Sequence, residues 1–468
     1  MAGMSPTGGA GPVTGRLPLE EKILAEELRP SDTEREYIRG VAQKLIAAIN
    51  ETGKAQGMVV GSIARDTWVK GDRDIDVFML FSPDLPREAL EKEGLSLARE
   101  IARQFTDTTC EKYAEHPYIN ATIDSIDVDL VPCYNVASAA HIQSAVDRTP
   151  FHTRYITDKI NGFVDDVRLL KRFTKSGGIY GSDQMTEGFS GYLCELLILH
   201  YGGFTRLLEA ASAWGPHLKI DIERHAAKAF DEPLVVVDPV DPRRNVAAAV
   251  SLDRMAEFVE LARGYLDAPS EDFFALPEEK PISREELDAL LSSRGTGLYA
   301  ITFATPPFIE EIVVPQLKRS TGSICDLLAR SGFVVHHAHY RMGKVRCMFL
   351  FELLSDGLPP LRRHEGPPIW NQVNAEKFRE KYRNATLPGP FIENGRYVME
   401  VPREFRVAGD LLSSPAILSV GIGRHVKASL EKDWCVLEGA DCWQEEFAPF
   451  IAGFFHRCSP LVRIKKTH

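Results

Sequence analysis

The sequence predicts an α+β protein in three parts: a small mixed-sheet domain, a helical middle and a second sheet-based region at the C-terminal end. Three observations predict it. Short apolar runs alternate with helical repeats up to about residue 152, helical periodicity takes over from 162 to about 268, and a strand–helix–strand–strand succession begins near 298. With 468 residues and 44% hydrophobic content, the chain can bury several cores.

In chain order, the first sixteen residues are rich in Gly, Pro, Ser and Thr and lack an apolar signal core. They are expected to be a flexible tail rather than a targeting peptide, and residues 1–30 are grouped as tail and lead-in. A helix is expected over 31–50. Ser31 and Glu34 suggest a capping box, and Ile38, Val41, Leu45, Ile46 and Ile49 recur at helical spacing until Gly53 ends it. Strands are expected at 58–60 and 75–81, separated by a Gly-Ser turn at Gly61 and Ser62. A helix over 90–105 and strands at 118–123 and 125–131 complete a first domain, 31–152. Helices at 164–174 and 189–201 mark a second domain, 153–275, interrupted by the loop DPVDPRRN at 238–245. Proline-rich sequence at 269–281 reads as a linker. In the last part, 276–468, a strand at 298–305, a helix at 311–330 and strands at 333–340 and 345–354 give a β-α-β-β order. That order suggests a ferredoxin-like sheet with one face covered by helix. A polar stretch rich in Pro, Gly and charge, 358–395, is inserted after it.

No run approaches the roughly 18 apolar residues of a membrane span, so no membrane is expected as a partner and the cytoplasm is the expected location. The eight cysteines, Cys110, Cys133, Cys194, Cys325, Cys347, Cys435, Cys442 and Cys458, form no CxxC pair. They fit reduced, packed thiols, and no Cys/His set has zinc-ligand spacing. The net charge of −11 argues superficially against nucleic acid, yet residues 341–406 hold twelve Lys/Arg and eight Asp/Glu, a balance of +4 that leaves −15 for the rest. That local excess permits RNA contact.

The strongest chemical signal is GSIARDTWVKGDRDIDVFML, residues 61–80. Asp74 and Asp76 flank one apolar residue, and in a strand positions i and i+2 share a face. Two carboxylates side by side repel unless a cation lies between them, and Mg²⁺ takes such oxygen ligands while leaving positions for phosphates. A lone Asp-x-Asp reads more simply as an exposed acidic strand end. Here a Gly-Ser turn, expected to offer backbone N–H groups and a helix dipole to an anion, precedes it by eleven residues. Arg65, one turn later, could reach the same anion. A two-metal site needs a third acid, and Asp124, Asp127 and Asp129 are available. Asp129 is favoured over Asp127 because Leu130 and Val131 follow it deeper into the sheet.

At these residues the sequence resembles the nucleotidyltransferase superfamily of DNA polymerase β and the poly(A) polymerases. More closely, it resembles the class I, archaeal-type CCA-adding enzymes. The likeness runs through TPFHTRYI (149–156), RLLKRF (168–173), GIYGSD (178–183), DPVDPRRNVAAA (238–249), LPPLRRHEGPP (358–368) and GPFIENGRYV (389–398), covering about 30–460. The resemblance implies a polymerase β-like head and template-independent addition of C, C and A to the tRNA 3′ end from CTP and ATP, with Mg²⁺. It implies that Asp74, Asp76 and Asp129 bind metal and catalyse. The first of these is often Glu in the family, so Asp74 is a departure. It further implies that Gly61, Ser62, Arg65, His152, Lys171 and Tyr180 bind the incoming nucleotide, and that Arg243 or Arg244 reads the base, with the choice open. Taken alone, Lys171 beside the apolar Val167 and Leu170 reads as a solvated helix residue, and His152 as a capping or packed histidine. The expected partner is tRNA, through its 3′ acceptor end and upper half; a homodimer is left open. No RRD motif of the bacterial and eukaryotic type occurs, and no Walker A motif. The alternatives are a poly(A) or other RNA terminal nucleotidyltransferase, and a tRNA-binding protein with a dead head. The presence of all three acids argues against the latter.

In the inserted stretch, Arg362, Arg363, Lys377, Arg379 and Lys381 are the candidates for RNA phosphate contact. Glu376 and Glu380 interleave with them, so a self-paired surface helix is the plainer reading. Trp370 and Tyr382 are expected to pack in the core rather than stack on bases.

Overall fold

The computed structural model describes residues 17–113, 117–278 and 280–466. The chain divides into two compact units, Met1–Glu278 with Cys458–His468, and Glu279–Arg457. Residues 1–16 of the expected tail lie outside the described residues.

The first unit opens with α1 (Pro18–Ile23), which runs on through a wider π-type turn, Leu24–Leu28. This corrects the expected tail: Ile23, Leu24 and Leu28 form an apolar stripe that is buried in the core of the helical part. In α2 (Asp32–Glu51) the Ser31 hydroxyl accepts the Glu34 N–H at 3.1 Å, and Ile38, Val41, Leu45 and Ile49 are buried. Then follow β1 (Gln56–Val60), α3 (Gly61–Ala64), β2 (Asp74–Phe81), α4 (Arg87–Ala102), β3 (Thr109–Tyr113), β4 (Pro117–Ile123) and β5 (Ile126–Tyr134). The sheet order is β1-β2-β5-β4-β3. Only the β2–β5 pairing is parallel; the others are antiparallel. β3 was not expected, because Thr-Cys-Glu-Lys-Tyr shows no clear apolar alternation. On one sheet face Ile75, Val77, Met79, Val128 and Leu130 pack with α2 and α4. The other face carries acids at one end and a small apolar cluster, Phe78, Leu80, Val131 and Cys133, at the other.

The helical part comprises α5 (Thr149–Lys159), α6 (Val164–Gly177), α7 (Gly191–Tyr201), α8 (Phe204–Ala211), the short parallel pair β6 (Leu218–Ile220) and β7 (Leu234–Val236), and α9 (Leu252–Asp267). The stretch expected as a linker is anchored instead. Phe273 and Phe274 sit in a 3₁₀ turn with ring centroids 6.0 and 6.1 Å from Phe173, because two adjacent phenylalanines outweigh the surrounding prolines.

The second unit contains α10 (Arg284–Arg294), β8 (Gly297–Ala304), α11 (Glu310–Ser331), β9 (Val335–Met342), β10 (Arg346–Leu353), β11 (Leu361–Pro368), α12 (Gln372–Lys381), β12 (Phe391–Glu393), β13 (Arg396–Pro402), α13 (Ala408–Leu412), α14 (Arg424–Leu430), β14 (Trp434–Glu438) and α15 (Ala448–Phe455). The antiparallel order β14-β8-β10-β9 is that of a ferredoxin-like sheet, as expected. Between β10 and β14 a second sheet, β11-β13-β12, is inserted and carries α12. Gly366 of β11 lets Phe378 of α12 approach; a Cβ there would lie 2.7 Å from the ring. The last helix, α16 (Pro460–Lys466), belongs to the first unit rather than to the C-terminal body it was expected to join. Leu461 packs where Gly264 of α9 has no side chain, and the Arg463 guanidinium donates to the Ser176 carbonyl at 2.5 Å.

Candidate active site

The parallel register of β2 and β5 sets Asp74 opposite Asp127 and Asp76 opposite Asp129, all on the face turned away from α2 and α4. Burial, followed by the charge of Asp129, pushes Asp76 up to about 6, with Arg65 opposing. Burial also raises Asp129, against a hydrogen bond from the Asn120 amide at 2.7 Å. Asp74 is raised by burial and then by Asp72, Asp127 and Asp129. Asp127 is exposed and accepts from Thr122 at 3.3 Å, whereas Asp129 sits deeper beside Asp76. Carboxylates whose charge is disfavoured first by burial and then by one another fit a cation, and an all-oxygen donor set suits Mg²⁺. Gly61 completes the cradle: with φ +70°, it lies so close to Asp76 that a Cβ would meet Oδ2 at 2.2 Å.

Beside the acids, Ser62, Arg65, Asp72, Lys171, Lys175, Tyr180 and Gly191 help to line a cavity of about 250 Å³. α3 is a single turn of four residues, so the helix dipole expected there contributes little. Arg65, which caps that turn, is buried; its Nε donates to Glu195 at 3.0 Å and Nη1 to Thr153 at 3.3 Å. Lys171 is not a solvated residue. It is 3% exposed, and its Nζ donates to the Thr67 carbonyl at 2.9 Å. Burial lowers its pKa, and the Glu195 charge opposes that shift. Gly191 gives room to Tyr180 and Lys171; a Cβ there would lie 3.0 Å from the Tyr180 hydroxyl and 3.5 Å from Lys171 Cε. Two charged neighbours of this cavity were missed. Lys175 pairs with Asp72 at 2.8 Å and lies 5.2 Å from the Tyr180 ring centre; its i+4 spacing from Lys171 was the available signal. The other, Glu195, is buried inside the apolar helix α7 beside Arg65.

A wider cleft of about 1190 Å³ shares Gly61 and Arg65 with this cavity. In its wall, His152 is buried, stacked on Tyr192 at 4.2 Å, with Nε2 2.8 Å from Asp238 Oδ2. Burial lowers the His152 pKa, with Asp238 opposing. Burial would raise Asp238, but hydrogen bonds from His152, the Val240 N–H and Arg244 outweigh it and hold it at about 2. Arg244 donates to Asp238 at 2.8 Å, while Arg243 is exposed in the same cleft. Asp238 and Tyr192 were not singled out in the sequence.

In the second unit, Arg362 and Arg363 are exposed on β11, and Arg363 pairs with Glu393. Lys377, Arg379 and Lys381 are exposed on α12, whose Ala375 and Phe378 are buried. The interleaved acids have other partners: Glu376 accepts from Gln372 at 3.1 Å and Glu380 pairs with Arg383 at 2.6 Å. Trp370 is not a core residue. It is 78% exposed and lies over Gly395, which has no side chain to cover it; Tyr382 is half-buried, 4.9 Å from the Phe378 ring. A β-bulge at Glu352 and Leu353 also gathers His336, His337 and Glu352 within 4.8 Å, a set that sequence spacing does not reveal. Its carboxylate is already committed to Arg294 at 2.6 and 3.0 Å and to Thr296 at 2.7 Å. Among the described residues no helix is long and apolar enough to cross a membrane.

Family models agree with this layout: a nucleotidyltransferase domain matches residues 42–152, a tRNA nucleotidyltransferase second domain 165–275, and a CCA-adding enzyme C-terminal domain 294–439. The CCA-adding enzyme of Methanoregula boonei is 77% identical over 454 residues, 97% of this chain and 99% of that one. The chain belongs to the CCA-adding enzymes. Those of Methanosarcina barkeri and Haloarcula marismortui are 40% and 41% identical, each across 91% of this chain and across 95% and 96% of their own. As a CCA-adding enzyme, the chain is a tRNA nucleotidyltransferase with tRNA and nucleotides as substrates.

Proposed function

We propose that CCA addition takes place on the acidic face of β2 and β5, with Asp74, Asp76 and Asp129 holding Mg²⁺. The register that sets Asp76 beside Asp129 carries this reading. Bound there, Mg²⁺ supplies charge neutralisation for the triphosphate and acidifies the tRNA 3′-hydroxyl. Ser62, Arg65, Lys171, Lys175 and Tyr180 bind the phosphates of CTP and ATP in the smaller cavity. Asp129, with Oδ1 engaged by Asn120, accepts the hydroxyl proton at Oδ2 as the 3′ oxygen bonds to the α-phosphorus and the α–β phosphoanhydride breaks, releasing pyrophosphate. The reaction is then driven by positioning and charge compensation.

The wider cleft takes the base and ribose. Arg244, braced by Asp238, reads the base in preference to Arg243, and His152 holds that brace from the other side. Arg362, Arg363, Lys377, Arg379 and Lys381 contact tRNA phosphates. All eight cysteines are free thiols, which suits the reducing cytoplasm.

The test is to incubate tRNA lacking CCA with each nucleotide and sequence the 3′ ends, with Mg²⁺ and with EDTA. CTP alone yields CC, and CTP with ATP yields CCA and stops, only with the metal. Long homopolymer tails or metal-independent transfer would contradict the reading.

A further inference from the structure

We propose that Glu195 is a positioning residue for the triphosphate: it is the fixed counter-charge that aims Arg65 and Lys171 into the cavity before a nucleotide arrives. The inference rests on the phosphate-binding reading of that cavity.

Glu195 lies one turn into α7, in the apolar run Gly-Tyr-Leu-Cys-Glu-Leu-Leu-Ile, and is 0% exposed. A carboxylate in such surroundings is costly unless its charge is used. Oε1 accepts from Arg65 Nε at 3.0 Å and from the Thr67 hydroxyl at 2.5 Å, while among the described residues Oε2 has no hydrogen-bond partner. Thr67 in turn receives Lys171 Nζ on its carbonyl at 2.9 Å and on its hydroxyl at 3.4 Å. Glu195 therefore ties together both buried cations and the loop that joins the Gly-Ser turn to β2. No mechanistic step uses its own protonation.

Charge explains why an acid stands there. Arg65 and Lys171 are both buried; burial first, and then the neighbouring Arg65 charge, disfavours the charged form of Lys171, and the Glu195 charge opposes them. Without an anion, the two cations would separate or Lys171 would shed its proton, and either outcome spoils a phosphate site. A triphosphate could compensate them only after binding. Glu195 supplies the compensation in advance, so less reorganisation accompanies binding. Since phosphates are common to CTP and ATP, its effect cannot favour one nucleotide over the other.

The test compares Glu195→Gln, which keeps shape and an acceptor but removes charge, with Glu195→Asp, which keeps charge. Glu195→Gln is expected to raise KM for CTP and ATP in parallel by about tenfold. The inhibition constant of inorganic tripolyphosphate rises by the same factor, kcat stays within about threefold, and tRNA affinity is unchanged. Glu195→Asp lies closer to wild type. Thr67→Val removes only the hydroxyl link, and a rise of about threefold in both KM values is expected; it serves as the readout where Glu195→Gln fails to fold. Wild-type KM in the folded variants, or a loss confined to kcat and thermal stability, would overturn the inference and leave Glu195 a packing residue. If tripolyphosphate fails to compete with CTP on the wild-type enzyme, the phosphate-cavity reading itself falls.

Discussion

Replacing Asp76 with Asn is expected to stabilise the metal-free protein while abolishing transfer. Burial and Asp129 hold this carboxyl at about 6, against an ordinary 3.8. That difference, at about 1.4 kcal/mol per tenfold change in proton affinity, makes the ionised group a burden of about 3 kcal/mol at neutral pH. Burying an amide in the same place and relaxation of the neighbours leave roughly 1–2 kcal/mol recoverable, or roughly 2–6 °C in Tm for a domain of a few hundred residues. The folded pKa is higher than the unfolded one. The cost is therefore fully present above about 6, shrinks as pH falls through that value and is gone below 3.8. Calorimetry in EDTA across pH is the assay: Asp76→Asn melts higher than wild type at neutral pH, and the gap closes toward pH 4. Added Mg²⁺ narrows or reverses the gap, because it stabilises the wild type more. A variant no more stable than wild type in EDTA, or a gap independent of pH, would refute the reasoning.

Asp129→Ala is expected to lower transfer on the order of 10³-fold or more while leaving triphosphate binding mostly intact; Asp127→Ala, at an exposed position, keeps most activity, and the reverse result would exchange their roles. Lys171→Ala raises KM for CTP and ATP by similar factors in steady-state assays, whereas loss of one nucleotide alone would show that it reads the base. Charge reversal at Arg362 with Lys377 lowers tRNA affinity and flattens its salt dependence, with CTP binding unchanged; wild-type affinity and slope would exclude both from the RNA surface. Arg363 is less informative, since its exposed pair with Glu393, worth about 0–1 kcal/mol, would be lost as well.

The acidic site was legible because it is local. Asp74 and Asp76 share a face by strand periodicity, and the Gly-Ser turn lies just upstream. Preference for Asp129 over Asp127 came from their depth in a single strand; the β2–β5 register sets Asp127 beside Asp74 and Asp129 beside Asp76. The ferredoxin-like order was readable for the same reason, since β8, α11, β9 and β10 follow one another with clear periodicity. Glu195, Asp238 and Tyr192 were not legible. Their meaning comes from partners distant in sequence, such as Arg65 for Glu195 and His152 for Asp238. Lys171 misled in the opposite direction: its helix has a clear apolar stripe, and the packing of α6 against the loop at Thr67 and against Gly191 of α7 buries it. The segment 17–28 was lost because Gly- and Pro-rich sequence precedes it, although its own leucines carry a buried stripe.

Anomalous scattering from Mn²⁺, in crystals holding a non-reactive CTP analogue, tests the central claim most directly. The account predicts a peak at Asp76 and Asp129, with the triphosphate extending toward Lys171. A triphosphate bound elsewhere, or a peak at His336, His337 and Glu352 with none at the aspartates, would contradict it.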